Sequence, residues 1–213
     1  MSRQRALPPT ALRILRGVAF LAGLVPLAIL IQGYLTETLS VNPLDDITDT
    51  TGTWTLRFLV ITLAITPLRK LTGWTQLARF RKMAGVYAFF YGTLHLFTYL
   101  YFDKFFYWED VLLDIPQRRF ILVGFAAWAI MLPLAVTSIN RISKWMGGKR
   151  WRILHRAAYL VGLLGVVHYY WLVKFDTSRP IVYGIIIASL LLFRVGDVIY
   201  TSWRKRRTPG TPA

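Results

Sequence analysis

Six apolar runs, at residues 17–34, 54–68, 83–102, 120–139, 153–173 and 180–200, leave this chain little choice of fold. Each is about 15 to 21 residues long, close to what an α-helix needs to cross roughly 30 Å of hydrocarbon at about 1.5 Å per residue. In lipid no water is present to bond an exposed amide, so a spanning segment must satisfy its backbone internally, as a helix does. With 55% hydrophobic and 17% charged residues and a mean hydropathy of +0.45, the bilayer is the solvent. The expected fold is all-α, an integral membrane bundle of six transmembrane helices.

A formal net charge of +16 raises the question of a nucleic-acid partner, and the placement of the charges answers it. The segments around Arg3–Arg16, Arg69–Lys82, Arg141–Arg152 and Arg204–Arg207 carry 18 of the 26 Lys and Arg. The loops between them hold nine of the ten acids, among them Asp45, Asp46, Asp49, Asp103, Glu109, Asp110 and Asp114. Short basic clusters alternating with acidic loops between apolar runs are a topology signal, and no nucleic-acid-binding motif accompanies them. By the excess of Lys and Arg on the cytoplasmic side, both termini are expected to be cytoplasmic and the acidic loops outside. The first apolar run lacks a small-residue cleavage site and reads as a retained helix.

The chain has no cysteine, which removes disulfides, thiol catalysis, iron–sulfur clusters and covalent c-type haem at once. Any redox centre must then be held by histidine, methionine or non-covalent contacts. All three histidines, His95, His155 and His168, fall in apolar runs. Counted along their helices, His95 stands about 18 Å and His168 about 22 Å from the basic edge, near one level of the membrane. Two imidazoles facing each other across a bundle at one depth are what a six-coordinate b-type haem needs. The bland alternative is a pair of bundle histidines hydrogen-bonded to neighbours. Gly92 and Gly165, each three residues before a histidine, with Gly85 and Gly162 further along, are expected to make room for a flat macrocycle or simply to pack helices closely.

His155 is expected about 3 Å into the fifth helix, roughly 20 Å below His168. It is a candidate ligand of a second haem, or an interfacial histidine serving a flavin, a quinone or a propionate. Of three basic residues at helix edges, Arg57, Arg156 and Arg194, Arg156 is the one singled out for function.

Taken in order, several stretches resemble the MsrQ (YedZ) family, the haem-binding membrane subunits of bacterial methionine sulfoxide reductase systems, within the ferric reductase-like transmembrane group. They are Asn42-Pro43, Thr51-Gly52-Thr53-Trp54, TLAITPLRKLTG at 62–73, RKMAGVYAFFYGTLH at 81–95, LPLAVTS at 132–138, WRILHRAAY at 151–159 and HYYWLVK at 168–174. The resemblance implies a haem domain over residues 1–203, followed by a basic, disordered cytoplasmic tail at 204–213. It implies haem b, FMN, electrons from respiratory quinol, a periplasmic molybdenum-dependent partner reductase and a place in the bacterial inner membrane. The wider group carries two histidines on each of two helices, whereas the third run here has His95 alone. The chain is thus expected to be an electron-transfer subunit and not the sulfoxide-reducing one. Rival readings are a cytochrome b-type reductase of metals or of another periplasmic acceptor, and a transporter or assembly factor whose histidines only pack.

Overall fold

A computed structural model describes residues 7–207, apart from the side chains at 205 and 206. It is helical throughout: α1 (Pro9–Leu35), α2 (Pro43–Thr72), α3 (Ala78–Thr98), α4 (Trp108–Gln117), α5 (Arg119–Val136), α6 (Asn140–Met146), α7 (Gly148–Leu154), α8 (Ala157–Leu172) and α9 (Ser178–Arg207). Each of the six apolar runs lies on one or two of these helices. Four of them, α1, α2, α5 and α9, are long and apolar enough to cross a membrane on those grounds alone. The other two are α3, whose first turns carry Arg79, Arg81 and Lys82, and α8, with only 16 residues.

Those two are the histidine-bearing helices. α3 lies along α2, and α8 packs against α5 and α9. α2 is the central element, with 39% of its apolar window buried against 6% for α9, which faces outward along most of its length. Threonines enter α2 without loss because each returns its hydroxyl to the preceding turn: Thr51 to Ile47 O at 2.7 Å, Thr55 to Thr51 O at 2.8 Å and Thr62 to Phe58 O at 2.7 Å.

α1 is fastened to α3 through its own backbone. Pro26 lies inside α1 and has no N–H to give, so the ladder is weakened there. The Tyr91 hydroxyl enters the turn beside it, donating to Gly23 O at 2.8 Å and accepting from Leu27 N at 3.3 Å. Both partners of that turn, Gly23 O and Leu27 N, are thereby also bonded to a side chain of another helix. Tyr91 is fully buried and stacks on Phe58 of α2 at 5.5 Å.

The sequence reading is corrected in three places. The fifth apolar run is not one helix: it breaks between Leu154 and Ala157, so His155 sits in the turn between α7 and α8. The acidic loops are not irregular, since α2 begins at Pro43 and places Asp45 and Asp46 in its first turn, where carboxylates favour the helix N-terminus; α4 adds ten helical residues. The final helix runs on to Arg207, through the first residues of the expected tail; residues 208–213 lie outside the described residues.

At the acidic end α4 is locked to its neighbours. Asp114 accepts from Arg118 Nε at 2.7 Å and from the Tyr99 hydroxyl at 2.7 Å, with Lys104 at 3.3 Å, while Arg118 also reaches Asp103 at 3.3 Å. Hydrogen bonding from Arg118 above all, with help from Tyr99 and Lys104 and against the opposing effect of burial, holds the Asp114 carboxyl at about 2, below its ordinary 3.8. A carboxyl depressed in the folded state stabilises it above the ordinary value and ceases to do so as pH falls through the depressed one. Thermal unfolding of detergent-solubilised wild type and Asp114→Asn is therefore expected to differ fully above about pH 4, with the wild type more stable, and to converge toward pH 2.

Candidate cofactor-binding site

Between α2, α3, α5 and α8 the bundle encloses a cavity of 520 Å³, within the roughly 300–1,000 Å³ of ligand and cofactor sites. His95 enters it from α3 and His168 from α8. Their ring centres are 5.9 Å apart, with the ring planes at 85°. The expectation that these two histidines share one level is met in the geometry.

One device positions both rings. His95 Nδ1 donates to Thr48 O of α2 at 3.0 Å, and His168 Nδ1 donates to Phe120 O of α5 at 2.7 Å. Four residues after each carbonyl, one turn along the same helix, stands a glycine: Gly52 after Thr48 and Gly124 after Phe120. A methyl group at 52 would lie 3.0 Å from His95 Cε1, and one at 124 would lie 2.6 Å from His168 Nδ1. The missing side chains let each imidazole lie on the neighbouring helix and reach a main-chain oxygen that already serves its own ladder.

The chemical consequence is the tautomer. A carbonyl only accepts, so each Nδ1 carries the proton and each Nε2 keeps a lone pair. Holding the distal ring nitrogen in this way orients metal-ligating histidines and raises their basicity. An atom held by one nitrogen of each ring at about 2 Å puts the ring centres on the order of 6 Å apart, in keeping with the distance observed. Among the described residues no cluster of three His, Asp or Glu is placed to hold a bare ion. A macrocycle that brings its own equatorial donors fits this pair.

The glycines foreseen from sequence line the cavity or let helices pack closely, and none of them seats a histidine ring. Gly92 and Gly165 do line the cavity, but a methyl at 92 would meet Met131 at 2.9 Å and one at 165 would meet Leu56 at 3.4 Å, neither of them a histidine. A methyl at 162 would meet Leu63 at 3.2 Å and one at 85 only Thr62 at 3.7 Å. The seating role of Gly52 and Gly124 is hard to read from sequence because they stand on helices without histidines. What marks them is a carbonyl four residues earlier facing an imidazole, which requires knowing the helix neighbours.

His155 belongs elsewhere. It lines a second cavity of 320 Å³ toward the basic end, its ring stacked on Trp151 at 3.9 Å. Thr137 Oγ1 gives its proton to Pro133 O at 2.6 Å and so accepts from His155 Nε2 at 3.0 Å. Arg156 is exposed and lines neither cavity. Arg194 does line the second one, bonded to the Tyr159 hydroxyl and, at 3.0 Å, to Leu63 O. Asp197 pairs with Lys70 of α2 rather than with Arg194. Arg57 lies over Trp54 at 4.7 Å, away from both cavities.

Comparison with known proteins points the same way. Residues 51–166 match the family model described as ferric reductase like transmembrane component. Over 93% of this chain and 90% of its own length, a protein of Herminiimonas arsenicoxydans is 46% identical. One from Azospira oryzae is 45% identical over 94% of this chain and 88% of its own, and one from Ralstonia nicotianae is 45% identical over 94% and 92%. All three are named as the heme-binding subunit MsrQ of protein-methionine-sulfoxide reductase.

Gly124→Ala is expected to destabilise the bundle by about 1–3 kcal/mol through overpacking against His168. Gly52→Ala, with its looser 3.0 Å approach, is expected to cost less. In a double-mutant cycle read by thermal unfolding, shrinking His168 to Ala in the Gly124→Ala background is expected to recover much of that loss.

Proposed function

We propose a function from one premise, that the chain belongs to the MsrQ family of haem-binding subunits within the ferric reductase-like transmembrane group. Its role is therefore electron transfer in the membrane by way of haem. The finer reading is that electrons enter from respiratory quinol, with FMN as a further cofactor. They leave to a periplasmic molybdenum-dependent methionine sulfoxide reductase that repairs oxidised proteins, and the chain resides in the bacterial inner membrane with six spans.

The observation that carries this reading is the His95–His168 pair with both Nδ1 atoms tied to carbonyls. Haem b, when bound, supplies a carrier of single electrons. His95 and His168 are the residues that would hold its iron, each through Nε2. Thr48 O and Phe120 O keep the two rings from turning and fix the proton on each Nδ1, and Gly52 and Gly124 keep them seated. Buried apolar residues such as Val161, Ala127 and Met131 line the cavity and limit water there. His155 gives its Nε2 proton to Thr137, so the reading assigns it to the second cavity and not to another haem.

Direction follows from charge. The 18 clustered Lys and Arg favour the cytoplasm for the basic end. The Asp114–Arg118 clasp and the first turns of α2 border the histidine cavity on the acidic side. An acceptor on that side is the nearer one.

His95→Ala and His168→Ala are each expected to lose most of the low-spin Soret absorbance while still inserting in the membrane, because insertion follows hydrophobicity and the imidazoles supply the iron bonds. His155→Ala is expected to keep it. A wild-type low-spin spectrum in both of the first two variants would remove the assignment.

In oriented vesicles supplied with quinol, reoxidation by a membrane-impermeant acceptor is expected only from the face bearing the acidic segments. Equal reoxidation from the face bearing the termini would reject the direction.

A further inference from the structure

The second cavity has a charge problem. Arg69, Arg81, Lys82 and Arg194 all line it, and none of its described lining residues is acidic. Arg81 lies within electrostatic reach of both Arg194 and Arg69. Asp197, three residues beyond Arg194, is taken by Lys70, and neither of that pair lines the cavity. Lys82 bonds a neutral group, Asn140 Oδ1, at 2.8 Å.

Arg194 shows the deficit most plainly. Its two terminal nitrogens go to neutral acceptors, the Tyr159 hydroxyl and Leu63 O, and its Nε is buried with no hydrogen-bond partner. The guanidinium is half-buried, lies over the Tyr159 ring at 4.7 Å and is set among other cations, an arrangement that an anion would relieve. Its planar fork suits the oxygens of a phosphate.

We infer that this cavity binds a phosphate group carried on a flat ring. The cations select the phosphate, since an uncharged quinol head would leave them uncompensated. The volume of 320 Å³ exceeds what a bare ion occupies, and the stacked Trp151–His155 pair with Leu63 and Leu134 gives a ring apolar and aromatic surface. That the ring is a flavin rests on the flavin part of the function proposed above; the anion-binding cluster does not. Leu59 and Met131 line both cavities, so this ligand would lie against the wall of the histidine chamber.

The test uses the full-length, haem-loaded protein in detergent, with FMN and riboflavin binding read by flavin fluorescence. The wild type is expected to bind FMN at least about tenfold more tightly than riboflavin. That gap is expected to close in Arg81→Gln and Arg194→Gln and to return in part in Arg81→Lys, with the Soret band unchanged. Equal affinity for FMN and riboflavin in the wild type, or a gap that survives both Gln variants, would overturn the proposal. Native mass spectrometry from phosphatidylglycerol and phosphatidylcholine nanodiscs separates the other source of phosphate. Arg81-dependent retention of phosphatidylglycerol without FMN binding upholds phosphate recognition and overturns the ring, and retention of neither overturns the site. The Soret band in the same samples reports on His95 and His168, so failure of the haem assignment gives its own signal.

Discussion

Two hydrogen bonds, His95 Nδ1 to Thr48 O and His168 Nδ1 to Phe120 O, set the terms for the centre of this bundle. Each ties a histidine-bearing helix to a partner that carries no histidine, α3 to α2 and α8 to α5. In lipid an imidazole N–H must find an acceptor within the protein, and helix carbonyls are already engaged one turn along. Both imidazoles therefore share a carbonyl with the ladder, and both can do so only because the residue closing that turn is glycine. Placement of the rings, choice of tautomer and close approach of four helices come from this one arrangement used twice.

The sequence disclosed the material of the fold more fully than its arrangement. Apolar runs bounded by basic and acidic clusters are one-dimensional signals, so the helices and the meeting of His95 and His168 at one level were legible. The length of α8 was not, because Leu154 and Ala157 are as apolar as a continuous helix would have them, yet the chain turns between them. The role of Gly52 was hidden for a different reason: its meaning lies on another helix, at His95. The same holds for Arg194, since Asp197, three residues along its own helix, is claimed by Lys70 from across the bundle. Local pairing rules describe exposed helix faces, and they lose to tertiary geometry where helices pack on several sides.

The two cavities differ in chemistry and share a wall. The one toward the acidic end offers two neutral nitrogen donors in an apolar setting. The one toward the basic end offers cations and a stacked aromatic pair. Only Leu59 and Met131 line both, and both are apolar side chains. Among the described residues, the stretch of wall that the two chambers share is thus apolar.

The Tyr91 hydroxyl within the α1 ladder bears on how the protein is made. α1 emerges before α3 during synthesis, and the pair Gly23 O and Leu27 N is bridged by a residue that emerges more than sixty positions later. Until α3 arrives, the membrane-inserted α1 must satisfy Gly23 O and Leu27 N from within its own ladder. Docking of α3 then adds a hydroxyl to a turn of α1 that its proline has already weakened, so the first and third helices are joined through backbone as well as side chains.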